Sequence, residues 1–460
     1  MKNDINNPIA QKLLSLHHEW ESSWEGYQQD ETLAVSDRVV EHVSEEFAER
    51  MKENYPFFHP RYAGQMLKPA HPLATAAYYM AMQINPNNHA LDGGPATVKM
   101  EIEVVAEIAR MFGLKSHLGH LTSSGTFANL EALWISRSLH PSKAIAFSTF
   151  AHYTHKRMCE VIKADSVEIP ADDLGKMDCT ALEEILKRGK VGTVVATVGT
   201  TSLGAVDPLD KIIPLCRHYN VRVHADAAYG GFFALLARQS APIIDPAPFL
   251  HLFECDSIVV DPHKHGLQPY GCGCVVFADP SVGKFYKHDS PYAYFTSGDL
   301  HLGEISLECS RPGASAAALW FTLKCIPLKP DTGLGAILTK TRRAALSFSE
   351  VIGSSKAFVE FVKPDLDIVT YFPKAEPPAA SLISRYSEKI FSDAMHHPTH
   401  PLYLALLHVD SQQLNRLHPR IETDRETTSI LRSVLMKPEH LAFVPEMVRE
   451  LEKFSEFDGE

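Results

Sequence analysis

The patterning of this chain predicts an α/β fold whose larger part is a mostly parallel sheet covered by helices on both faces. Three observations carry that prediction. Short apolar runs alternate with amphipathic stretches from about residue 143 to residue 277. The runs AIAFS, GTVVATV and DSIVVD are continuously apolar, as strands buried on both sides are. The rhythm then changes after about residue 330, where strand-like FVEFVKPDLDIVTYFP and PLYLALLHVD lie between helical stretches. At 460 residues the chain is too long for one core, so two or three domains are expected.

Taken in order, residues 1–70 read as a helical arm. LHHEWESSWEGYQQ and DRVVEHVSEEFAERMKENY carry apolar residues at helical intervals, and such a stripe must pack on the body of the protein or on a second subunit. Residues 55–95, rich in Pro, His, Asn and aromatics, read as ordered loops around a helix near residues 74–83. VKMEIEVVAEIARMFG is an amphipathic helix stopped by Gly113. HLGHLTSSGTFANLEALWISRSL reads as a turn leading into a helix. Strands are expected at 143–148, in DSVEIP, at 192–198, 221–226, 256–261 and 272–277, with helices in AHYTHKRMCEVIKA, CTALEEILKRGK and PLDKIIPLCRHYN between them. Residues 71–330 form the large domain on this reading. Residues 331–460, with a helical TRRAALSFSEVIG and a closing PEHLAFVPEMVRELEKF, form a smaller α+β domain.

Composition narrows the function. A net charge of -12 argues against a general nucleic-acid binder, which needs a basic face. No run is long enough to span a bilayer, and MKNDINNPIAQKLL lacks a signal-like apolar core, so a cytoplasmic location is expected. Cys272 and Cys274 fall on one face of a strand and read as core. The pairs His152/His155 and His117/His120 have helical i,i+3 spacing but no matching carboxylate, so no metal site is expected.

In open parallel sheets ligands bind beyond the carboxyl ends of the strands. Past these strand ends lie His152, Thr200 and Thr201, Asp226 in HADAAYGG, and Lys264 in DPHKHG. Singly, His152 reads as a helix-start residue, Asp226 as an N-cap and Thr201 as a turn former. Together a histidine, hydroxyls, a carboxylate and a lysine converge on one rim. Lys264 follows a hydrophobic strand, where desolvation favours the neutral amine that Schiff-base chemistry needs. Ser124, Gly125 and Thr126 open a helix whose free amides attract an anion, or they simply cap it. Phosphate grip, carboxylate and lysine describe a holder for pyridoxal phosphate. The lysine bonds the aldehyde, and the aspartate keeps the ring nitrogen protonated.

From about residue 57 to 325, and more faintly to the C-terminus, the chain resembles the group II pyridoxal-phosphate-dependent amino-acid decarboxylases, of fold type I. DPHKHG and HADAAYGG carry the resemblance. It implies Lys264 as the Schiff-base lysine and Asp226 as the pyridinium partner. His263, Ser124, Gly125 and Thr126 are implied as phosphate contacts, His152 as the residue stacked on the ring and Thr201 as a neighbour of the ring. Ser310 would reach a neighbouring subunit's phosphate in a homodimer with shared sites. A loop tyrosine, Tyr294 in preference to Tyr292, would return a proton to the α-carbon, and a tyrosine there supports simple decarboxylation. Phe127 stands where the family often has an acidic residue, which leaves that contact unsupported. The expected activity is decarboxylation of an L-amino acid, aromatic in preference to glutamate or aspartate. Another fold-type-I aminotransferase or lyase, or an inactive relative with a regulatory role, are the alternatives. Tyr55, Phe57, Phe58, Tyr62, Tyr78 and Tyr79 either line an aromatic pocket or pack; Arg61, Lys68 and Lys99 either pair an acidic substrate or face water.

Overall fold

The computed structural model describes residues 7–287 and 306–456. Its large sheet consists of β1 (Leu118–Thr122), β2 (Ala144–Ser148), β3 (Ser166–Ile169), β4 (Val191–Thr197), β5 (Arg222–Asp226), β6 (Ser257–Val260) and β7 (Gly273–Phe277). They lie in the order β1-β7-β6-β5-β4-β2-β3. β3, β2, β4, β5 and β6 are mutually parallel, whereas β7 runs antiparallel to both β6 and β1. The chain leaves β2 toward β3 on one side and continues through β4 on the other. This reversal opens a crevice at the strands' carboxyl ends.

Both faces of the sheet are covered, as the continuous apolar runs require. On β6, Ile258 and Val260 join the core built with Val105, Ile108 and Phe112 of helix Pro95–Phe112. Val259 between them joins the opposite core, with Ala128, Ala132 and Ile135 of helix Gly125–Leu139. Successive side chains thus serve two layers. Helix Pro95–Phe112 ends where the sequence places the stop, at Gly113 with φ +88°.

The second sheet is antiparallel, in the order β10-β11-β9-β8: β8 (Phe358–Val362), β9 (Ile368–Pro373), β10 (Ala405–Asp410) and β11 (Thr427–Val434). One face packs Val369, Tyr371 and Leu431 against helices Gly333–Ser354 and His440–Phe454. The other packs Phe372 and Ile430 against helix Ala380–Met395.

One sequence expectation is corrected here. The segment read only as a turn before Gly125 contains β1, so His120 stands on a strand and the His117/His120 pair has no helix to align it. Of the loop aromatics, Tyr55, Phe57 and Tyr62 take the packing alternative while Phe58 stays exposed, and Arg61 neither faces water nor is free to pair a substrate. Tyr55, Phe57, Tyr62 and Tyr403 form one aromatic cluster, and Arg61 is clamped by Glu446 and Glu450 of the last helix. Cys272 and Cys274 are buried, as expected of core residues. No helix among the described residues is long and apolar enough to cross a membrane.

Candidate active site

Four parallel strands deliver their carboxyl ends to one cleft of about 200 Å³. Ser124, Gly125, Thr126, His152, Thr201, Asp226, His263 and Lys264 all line it. Register accounts for part of this convergence, because Thr197 of β4 pairs with Asp226 of β5, and Asp226 with Val259 of β6.

Lys264 sits in the turn after β6, with its backbone N–H donating to the Asp261 carbonyl at 2.9 Å. Its Nζ lies 3.0 Å from Asp261 Oδ2, and about a quarter of the side chain is exposed. The lysine is thus only partly withdrawn from solvent, and the strand end supplies it with a carboxylate partner. His263 Nε2 is 3.5 Å from the same oxygen. Burial, ahead of the influence of nearby charges, pushes the His263 pKa down. Its ring packs on Tyr270 at 4.8 Å.

Gly125 opens helix Gly125–Leu139, and a Cβ built there would lie 2.5 Å from Asp261 Oδ2. The helix start can approach the lysine turn this closely only because residue 125 has no side chain. Ser124 is the N-cap, its Oγ accepting from Phe127 N at 3.3 Å. Phe127 itself is partly exposed.

Asp226 is nearly buried, and Nε2 of His155 lies 2.7 Å from its Oδ2. Burial by itself would raise the Asp226 pKa. The His155 hydrogen bond and the positive charge of Lys264 outweigh it and hold the carboxyl well below the usual range. Behind Asp226, burial pushes the His224 imidazole down to about 3. That neutral ring bridges Asn129 Oδ1 at 2.8 Å and Ser257 Oγ at 2.9 Å. His152 projects from the loop after β2 with Nδ1 2.9 Å from Thr154 Oγ1, its pKa lowered chiefly by burial.

Other expected residues fare differently. Thr201 is exposed at the rim, and its carbonyl accepts from Arg432 Nη2 at 2.6 Å. Thr200 is a turn former, its Oγ1 accepting from Leu203 N and Ala205 N. Ser310 is exposed, accepts from Asn87 Nδ2 at 3.1 Å and does not line the cleft within this chain. Tyr292 and Tyr294 lie outside the described residues. His155, Asp261 and Asn129 were not picked out as site residues. Their only signals were spacing: His155 three positions after His152, and Asp261 three before Lys264.

A wider cavity of about 660 Å³ shares His152 and Thr201 with the cleft and runs to the second sheet, where Met66, Phe150, Leu407, His408 and Arg432 line it. All three donor nitrogens of Arg432 go to backbone carbonyls, of Ser202, Gly64 and Thr201. Among the described residues no group of three or more His, Cys, Asp or Glu side chains could hold a metal ion.

Comparison with known proteins bears on the chain as a whole. Residues 28–372 match the model of the pyridoxal-dependent decarboxylase conserved domain, a wider span than the motifs alone delimit. The L-tyrosine decarboxylase of Enterococcus faecium is 29% identical, over 78% of this chain and 76% of its own length. A probable L-aspartate decarboxylase of Pyrococcus furiosus is 27% identical, over 73% of this chain and 88% of its own. Among solved structures, apo mouse CSAD superposes with a TM-score of 0.77 at 20% identity, covering 95% of this chain and 92% of that one. Oryza sativa TDC with PLP and tryptamine superposes with a TM-score of 0.76 at 17% identity, covering 99% of each. Both structures share the fold.

Proposed function

The chain belongs to the pyridoxal-dependent decarboxylase family, and we propose that the cleft around Lys264 is where its chemistry takes place. The protein is a pyridoxal-phosphate-dependent amino-acid decarboxylase. The cleft fits that cofactor on its own terms. It opposes a helix N-terminus bearing two hydroxyls to a buried carboxylate, with an amine between them. Three of its buried polar atoms, Thr197 Oγ1, His263 Nδ1 and Asp261 Oδ1, have no hydrogen-bond partner among the described residues.

When bound, pyridoxal phosphate supplies an aldehyde for an amino group and a ring that accepts the electron pair left as carbon dioxide departs. The protein's residues divide the remaining work. Ser124, Gly125, Thr126 and His263 would hold the phosphate. Lys264 Nζ would hold the aldehyde end, with Asp261 Oδ2 placed to take the proton that the amine must give up. Asp226 would serve the ring nitrogen, His152 the ring face and Thr201 the ring edge. Tyr294 would return a proton to the α-carbon, and Ser310 would serve the partner's site. Positioning decides which bond at the α-carbon breaks.

The single observation that carries the reading is the meeting of Lys264, Asp226 and the Gly125 helix start in one cleft. An aromatic L-amino acid is the proposed substrate. Met66, Phe150 and Leu407 give the wider cavity apolar walls, Arg61 is occupied by two glutamates, and Arg432 is spent on carbonyls. Lys99 is exposed on its helix, away from both cavities. The names of the relatives include both tyrosine and aspartate decarboxylases. Assaying carbon dioxide release from each of the twenty L-amino acids tests the proposal. Release from tyrosine, tryptophan or phenylalanine supports it, and exclusive release from aspartate or glutamate overturns the substrate part.

The same proposal makes the enzyme a cytoplasmic homodimer. Helix Asp37–Met51 buries none of its residues, and Val39, Val43 and Phe47 on it are more than half exposed, as is Trp24 beyond helix Pro8–Ser22. A second copy would cover this apolar surface. Sedimentation equilibrium at twice the chain mass is the expected result.

A further inference from the structure

His155 is the side chain that holds Asp226. It stands in the first turn of helix Thr154–Val161, wholly buried, its ring 5.9 Å from that of Phe147, and it does not line the cleft. Its Nε2 is 2.7 Å from Asp226 Oδ2, while its buried Nδ1 has no hydrogen-bond partner among the described residues. A hydrogen on Nδ1 would be an orphaned buried donor, so the arrangement favours a hydrogen on Nε2, donating to the carboxylate. The other groups that face Asp226 have commitments elsewhere. His224, on the same strand, is bonded to Asn129 and Ser257. Lys264, after β6, is paired with Asp261, and His152, after β2, is bonded to Thr154. Asp226 Oδ1 accepts only a long bond from Ala228 N, at 3.3 Å.

We propose that His155 is a positioning residue for the cofactor: by donating to Oδ2 it turns Asp226 so that Oδ1 is free for one cationic N–H in the cleft. The protein thereby distinguishes a ring with a protonated nitrogen from one without. This use of the second histidine of HYTH rests on the reading that Asp226 faces the ring nitrogen. A carboxylate without its buried donor would be free to rotate toward Lys264, and the selectivity would fade.

The test is cofactor affinity of the apoprotein, followed by fluorescence quenching, for pyridoxal phosphate and for its 1-deaza analogue, whose ring has C–H in place of the nitrogen. Wild type should prefer pyridoxal phosphate by roughly 10-fold or more, the worth of one hydrogen bond to a charged group. His155→Phe should cut that preference by about 5- to 10-fold while leaving analogue affinity within about 2-fold. His155→Gln, which keeps a donor, should restore the preference to within about 3-fold of wild type. If His155→Phe does not fold, as judged by circular dichroism, His155→Leu takes its place. Equal weakening of both ligands means a merely structural residue and overturns the proposal, as does an unchanged preference in the Phe variant. No preference in wild type overturns the Asp226 reading itself, and with it this inference.

Discussion

Lys264 Nζ and Asp261 Oδ2 stand 3.0 Å apart at the end of β6, and the same carboxylate closes against Gly125 at the helix start. One buried acid thus touches both the amine and the start of helix Gly125–Leu139. Asp261→Asn keeps the shape and removes the proton acceptor. Uptake of pyridoxal phosphate by the apoprotein, followed by stopped-flow absorbance, should slow by about 10²-fold, in the range of a lost general base.

Gly125→Ala places a methyl group 2.5 Å from Asp261 Oδ2, and that carboxylate has little room to retreat because it is buried. Overpacking of this kind costs about 1–3 kcal/mol. Urea unfolding of the apoprotein should report that loss, and a cofactor titration should show weakened binding, since the strain falls on the lysine turn.

Asp367 ties the second sheet to the lysine turn. Tyr229 Oη donates to its Oδ1 at 2.5 Å, and His265 Nε2 lies 3.3 Å from Oδ2. Burial pushes the Asp367 pKa up to about 6, against the opposing effects of Tyr229 and Lys68. The native state therefore binds a proton that the unfolded chain releases at its ordinary pKa of 3.8. Stability from this group is greatest in acid and falls as pH rises from about 4 through about 6. Asp367→Asn lacks that loss. Urea unfolding near pH 4.5 and near pH 7.5 should show the variant gaining on wild type by about 1–3 kcal/mol at the higher pH.

Arg61 donates to Glu446 Oε1 at 2.6 Å and to Glu450 Oε1 at 2.8 Å, which joins the segment after the helical arm to the last helix. Arg61→Ala should lower stability by about 1–3 kcal/mol in thermal unfolding. Substrate preference in the carbon dioxide assay should not change, because the side chain is committed to the two glutamates.

How much of this was legible follows from where the partners lie. The parallel strands announced themselves because burial on both faces demands unbroken apolar runs, and chemistry-bearing residues just past their ends could be read directly. β1 was not legible: in HLGHLT, Gly119 is required because a Cβ would meet Val275 O at 2.5 Å, yet in sequence it looks like a turn. β11 was missed for a related reason. Its buried Ser429, Arg432 and Ser433 break the apolar pattern, and Arg432 is satisfied only by carbonyls more than two hundred residues away in the chain. At the site, His155 and Asp261 lay close in sequence to residues that were recognised. Which way they face depends on crossings of the chain that spacing does not encode.

The central claim is that Lys264 is the amine that holds the cofactor. Reducing the pyridoxal-phosphate-loaded enzyme with borohydride, digesting it and mapping the modified peptide by mass spectrometry tests this directly. The account predicts a phosphopyridoxyl group on Lys264, absent from Lys264→Ala. Modification at another lysine, or equal labelling of the Lys264→Ala protein, would contradict it.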